Sequence, residues 1–233
     1  MAQTELNDAP TLGKAESILA AAKRAFLAAG FGAVSMDTIS REAGVSKATV
    51  YAHFGSKEEL FGAVIERECE RYFAQFSEGE LDPRDVRASL TVLGRRFLDL
   101  LLSPDGIALY RIILGEVTRF PGLGEVFWSA GPERQRLQIE AYLKSAISTG
   151  TLALGDTRLA AEQFVSLVRS DIHIRHLLRL EAKADRHGIS AAVEAAVATF
   201  MRGFECQTAP TEAFACHPSE GQAKVGTYST EHR

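Results

Sequence analysis

TISREAGVSKATVYAHFGSKEELF, residues 38–61, holds two helix starts and one tight turn. Ser46 opens a short segment, and Ser56 is followed three residues later by Glu59, the pairing in which a hydroxyl and a carboxylate satisfy the first free N–H groups of a helix. Gly44 supplies the positive φ that a sharp reversal needs. A helix of about ten residues, this turn and a second helix of about eight have the spacing of a helix-turn-helix, with the motif over about 35–54. Val50 and Phe54, four apart, face inward against Ile39, which leaves Lys47, Ala48, Thr49, Tyr51, Ala52 and His53 pointing outward.

Outward from this stretch, nearly everything has helical period. AESILAAAKRAFLAAG puts Ile18, Ala22, Ala25 and Phe26 on one stripe and stops at Gly30, while Ser35 caps the next helix with Asp37 in its first turn. The fourth helix carries Leu60, Phe61, Val64 and Ile65 toward Phe76. Val86, Leu90, Leu93, Phe97 and Leu101 mark a fifth, broken by SPDG; Ile107, Tyr110, Leu114 and Val117 mark a sixth, ended by Pro121 and Gly122. Residues 123–149 form one helix or two, because Gly131 and Pro132 interrupt them. Asp156 caps a long helix through Phe164, Leu167, Val168 and Ile172 to about Leu180, and the last runs from Ile189 to Phe204. With no alternating strand pattern the expected fold class is all-α. Residues 1–12 and 206–233 are polar and aperiodic and read as mobile tails.

The chain has 233 residues, 46% hydrophobic and 24% charged, an ordinary globular composition for one or two domains. It lacks a run of about 20 apolar residues and a basic leader, so a cytoplasmic protein with no membrane partner is expected. Cys69, Cys206 and Cys216 have neither disulfide nor zinc spacing. Net charge is −4, yet Lys14 to Lys57 holds six cations against three carboxylates, so one end can face a polyanion. Neither GxSxG, HExxH nor a glycine-rich phosphate loop is present, and an enzyme is not expected. His173 and His176 have i,i+3 spacing with no third ligand, so surface or interface histidines are expected and neither a metal nor a cofactor.

Residues 14–61, and TISREAGVSKATVYAHFGSKEELF in particular, resemble the DNA-binding region of the TetR family of transcriptional regulators. The segments ALYRIILGEV, FPGLGEVFWSAGPERQRL and VSLVRSD are similar, less specifically, to the C-terminal region of its AefR-like branch. The resemblance implies a three-helix DNA-binding head with a helix-turn-helix, joined through a fourth helix to a helical ligand-binding and dimerisation body. The divisions expected are a tail over 1–12, a head over 13–61, a body over 62–205 and a tail over 206–233.

Carried onto this sequence, the resemblance implies that Lys47, Thr49, Tyr51 and His53 face double-stranded DNA and that Lys57 meets phosphate where the fourth helix begins. Ser35 adds a hydroxyl beside free helix N–H groups. Of these, only Lys47 and Thr49 reach base edges; this helix has no Arg, Asn or Gln for bidentate reading, so paired half-sites and DNA shape carry much of the discrimination.

In the body, Phe97, Tyr110, Phe127, Trp128 and Phe164 are either core or the lining of a pocket for a small-molecule effector. The last two long helices are the expected homodimer contact, with Val193, Val197 and Phe200 as the stripe offered to the mate and Ala191, Ala192, Ala195, Ala196 and Ala198 keeping the last helix narrow. Asp171 pairs with Arg175, faces a ligand or crosses the dimer interface, the ion pair being favoured. The reading is a repressor released from a pseudo-palindromic operator by its effector; the alternative is a helical dimer that binds a small molecule and no DNA.

Overall fold

A computed structural model describes residues 11–73, 80–180 and 185–204. Eleven α-helices follow one another among the described residues, with no β-strand. Residues 1–10 and 205–233, most of the two expected tails, and Phe76 lie outside the described residues.

Three helices build the head: α1 (Thr11–Ala33), α2 (Met36–Ala43) and α3 (Lys47–His53). The first is interrupted at Gly30, where φ is 78°. Ser35 caps α2 by accepting the Thr38 N–H at 3.1 Å, and Gly44 ends it in the left-handed region at φ 67° with its N–H on Arg41 and Ser40 carbonyls. A side chain at Gly44 would be strained in that conformation. Ser46 then accepts the Thr49 N–H at 3.0 Å and starts α3. These local bonds close the turn, and Ile18, Phe26, Ile39 and Val50 bury the three helices against one another.

The fourth helix, α4 (Lys57–Phe73), leads into the body, which adds α5 (Val86–Leu101), α6 (Pro104–Glu116), α7 (Gly122–Ala130), α8 (Pro132–Ser148), α9 (Thr157–Arg169), α10 (Ile172–Leu177) and α11 (Arg186–Phe204). The head's core is completed by the body: Leu109 and Ile113 of α6 and Leu123 of α7 join Leu60, Phe61 and Val64 of α4 in it. Phe31 of α1 stacks edge-on against Phe61 and Phe120 at 5.5 and 5.1 Å. A second core lies among α5, α8, α9 and α11, and Cys69 packs against both.

Residues 123–149 resolve into two helices parted at Gly131 and Pro132. The long helix expected from Asp156 to Leu180 is instead two, because Ser170 adopts φ 43° and separates α9 from α10. The stripe on the last helix also differs from expectation: Val193, Val197 and Phe200 are buried in the protomer's own core, while Ala191, Ala195 and Thr199 are on the exposed face.

Candidate DNA interface and effector cavity

Lys47, Ala48, Tyr51 and Ala52 form the exposed face of α3, with Thr49 and His53 half-buried at its edges. Tyr51 is 45% exposed, a large ring left in solvent on a helix whose other side holds Val50 in the core. Lys47 pairs with Asp37 at 3.0 Å, and that carboxylate holds its ammonium above the usual lysine range. The Thr49 hydroxyl lies 2.8 Å from that of Ser46, so it serves the cap as well as the surface. Ser35 is exposed beside Thr38, whose hydroxyl is 3.0 Å away.

Lys57 is placed differently from the other five. Its ammonium donates to the Phe31 and Val34 carbonyls, each at 2.9 Å, and lies 4.3 Å from the Phe31 ring centre. It ties the end of α1 to the start of α4, and burial holds it below the usual lysine range.

The body contains a cavity of about 290 Å³ walled by α4 to α9. Phe97, Tyr110, Phe127 and Trp128 line it; Phe164 does not, being packed 5.4 Å from Phe200 in the body core. Tyr110 meets Phe127 edge-on at 5.3 Å, and Trp128, 58% exposed, stands at the rim.

Polar groups that sequence periodicity did not single out also line the wall: Glu68, Cys69, Gln135 and Arg136, with Glu162, Ser166 and Arg169 from α9. Glu68 was detectable in principle, since it continues the stripe of Val64 and Ile65 at helical spacing and so puts a carboxylate where an apolar residue is expected. Cys69 accepts from Gln135 at 3.4 Å, and desolvation pushes its thiol up to about 11. Arg136 is paired with Glu133 and Glu140 at 2.6 and 2.5 Å.

His173 and His176, expected at a surface or interface, are buried at 4% and 6% exposure. His173 lies 4.6 Å from Tyr110 edge to face, and its Nε2 has no hydrogen-bond partner. Among the described residues no three His, Cys, Asp or Glu side chains cluster as metal ligands. Asp171 and Arg175 are 3.9 Å apart on the exposed side of α10, at the outer limit of an ion pair. No helix among the described residues is long and apolar enough to cross a membrane.

A capped helix-turn-helix set on a cavity-bearing helical body defines a class, the DNA-binding transcriptional regulators. Residues 18–64 match the family described as bacterial regulatory proteins of the tetR family, and residues 88–206 match the C-terminal domain of AefR-like transcriptional repressors. The chain belongs to the TetR family, in its AefR-like branch.

Among solved structures, the flavonoid-responsive regulator FrrA is 34% identical with a TM-score of 0.66, over 83% of this chain and 98% of that one. A TetR-family regulator from Mesorhizobium loti is 25% identical with a TM-score of 0.68, over 85% and 100%. Of curated relatives, the transcriptional activator FasR of Mycolicibacterium smegmatis is 34% identical over 36% of this chain, and the regulator UidR of Escherichia coli is 43% identical over 26%. The matched stretches span 38% and 31% of those two proteins.

Proposed function

We propose that the protein acts in the cytoplasm as a homodimeric repressor, released from a pseudo-palindromic operator by a small aromatic effector bound in the body cavity. What carries this reading is that one set of helices serves both sites: α4, α6 and α7 line the cavity and also supply apolar side chains to the head's core. A ligand that favours one arrangement of those helices biases the head, and DNA biases the ligand by the same free energy. The aromatic lining suits a flat, hydroxylated ring compound, in keeping with the flavonoid response of FrrA.

In this reading Tyr51, His53 and Ser35 donate to phosphates, which orient the head, while Lys47 and Thr49 touch base edges. Lys57 acts through the shape of the head by holding α1 to α4. The exposed face of α11, small at Ala191 and Ala195, and the exposed Leu159 and Leu167 of α9 meet their copies in the dimer, setting two α3 helices about 34–36 Å apart for successive turns of one duplex face.

Selection from random duplexes tests the reading. The full-length protein should enrich a two-half-site palindrome, and Tyr51→Phe should weaken every enriched duplex by a similar factor, roughly fivefold. Lys47→Ala should instead change which bases are preferred. Failure to enrich any duplex at low ionic strength would remove the operator from the reading.

A further inference from the structure

Lys23 of α1 reaches two walls of the cavity at once. Its Nζ is 2.7 Å from Glu68 on α4 and 2.6 Å from Asp105 on α6, and Arg71 holds the other Glu68 oxygen at 2.9 Å. Glu68 is 5% exposed and lines the cavity, and Asp105 directly precedes Gly106, another wall residue. At the opposite end of α6, Glu116 accepts the Gly32 N–H of α1 at 3.0 Å. The body's α6 is thus pinned to the head's α1 at both ends, and the pin at Lys23 shares its carboxylate with the cavity wall. Desolvation opposes the Lys23 charge, but Asp105 and Glu68 outweigh it and hold the ammonium above the usual lysine range.

We propose that Glu68 is the acceptor for an N–H or O–H donor on the effector, and that Lys23 is the positioning residue that passes cavity occupancy to the head. This rests on the cavity being the effector site. A carboxylate offers about four lone-pair positions, of which Lys23 and Arg71 take two. A bound donor takes a third, draws Glu68 inward and lengthens its contact with Lys23. Lys23 then stays with Asp105, so α1 follows α6 rather than α4. Glu68 itself is buried, with its side chain 7% exposed, so its charge-assisted bonds are strong enough to make the two arrangements distinct. The effector class follows: a neutral or cationic aromatic carrying a donor, since a carboxylate placed at this end would face Glu68.

The probe is N-phenyl-1-naphthylamine, an aromatic amine with one N–H. The chain's single tryptophan, Trp128, stands at the cavity rim, so energy transfer from it reports probe bound to the body, and its loss in a cavity-filling Gly131→Leu variant assigns that signal to this cavity. With the wild-type protein, saturating probe should weaken binding to its selected duplex about tenfold, within the usual range of coupling. Glu68→Gln and Lys23→Met should still show energy transfer, with duplex affinity changing less than about twofold on probe addition, and Lys23→Arg should restore most of the effect. 1-Benzylnaphthalene, lacking the N–H, should enter and leave duplex binding nearly unchanged.

Should Glu68→Gln fail to fold, the two Lys23 variants decide. Equal weakening by the probe in Lys23→Met and wild type overturns the proposal and leaves the cavity reading intact, whereas no weakening in a wild type that shows transfer overturns the proposal and the cavity reading together. Absence of energy transfer in the wild type overturns both.

Discussion

His173 shows how burial converts a side chain into a pH limit. The imidazole, 4% exposed against Tyr110, is held down to about 4 by desolvation, with Arg169 and His176 adding to the effect. In the unfolded chain it takes a proton near pH 6.5, whereas the folded protein resists until about pH 4. The unfolded state therefore binds more protons throughout that window, so stability is complete above about pH 6.5 and falls as the pH drops toward 4. The loss attributable to this one group reaches about 3 kcal/mol. Urea midpoints measured across the window should drop steeply in the wild type and more gently in His173→Phe, which keeps an aromatic ring beside Tyr110. Lys57 gives a second test at this scale. Lys57→Met removes the donor from two carbonyls and should cost about 1–3 kcal/mol of stability, while leaving the salt slope of duplex binding unchanged.

Among the elements, the junction of α5 and α6 is the tightest. A Cβ at Gly106 would run into the Leu100 carbonyl oxygen, which a helix end cannot move without losing the corner closed by Ser103. Gly106→Ala should destabilise the protein by about 1–3 kcal/mol, read by thermal melting, and should weaken the Lys23–Asp105 contact beside it. Elements of this kind were partly legible in the sequence. Ser35, Gly44, Ser46 and Ser56 announced their roles because each bonds within four residues of itself, so the signal is local. The break at Ser170 left no such trace. The short helix beyond it is held by Arg111, which donates to the His176 and Leu177 carbonyls at 2.8 and 3.1 Å from across the body. Periodicity likewise showed that Phe164, Val193 and Phe200 share apolar stripes without showing what those stripes meet, and the answer is one another's helices.

For the whole molecule, the proposed dimer face sets the small Ala191 and Ala195 of α11 beside Leu159 and Leu167 of α9, so its weak point is predictable. A long charged side chain on the exposed side of α11 would be forced between the protomers, and Ala195→Arg should leave a monomer at micromolar concentration in sedimentation, with its helical circular dichroism kept and its melting no longer dependent on concentration. Such a monomer should retain no more than weak, salt-sensitive duplex binding, because one α3 offers few base contacts. A variant that stays dimeric would place the interface on another face. The division of charge fits the same picture, since residues 14–57 carry six cations against three carboxylates in a chain whose net charge is −4.

Cys69 lies where the two cores meet, and its thiol, pushed up to about 11, is nearly all protonated and inert while the protein is closed. Because Cys69 also lines the cavity, the rate at which iodoacetamide labels it, with Cys206 and Cys216 replaced by serine, clocks how often the cavity wall and the seam behind it open to solvent. Anything that locks the two halves together slows that clock, and anything that pries them apart quickens it.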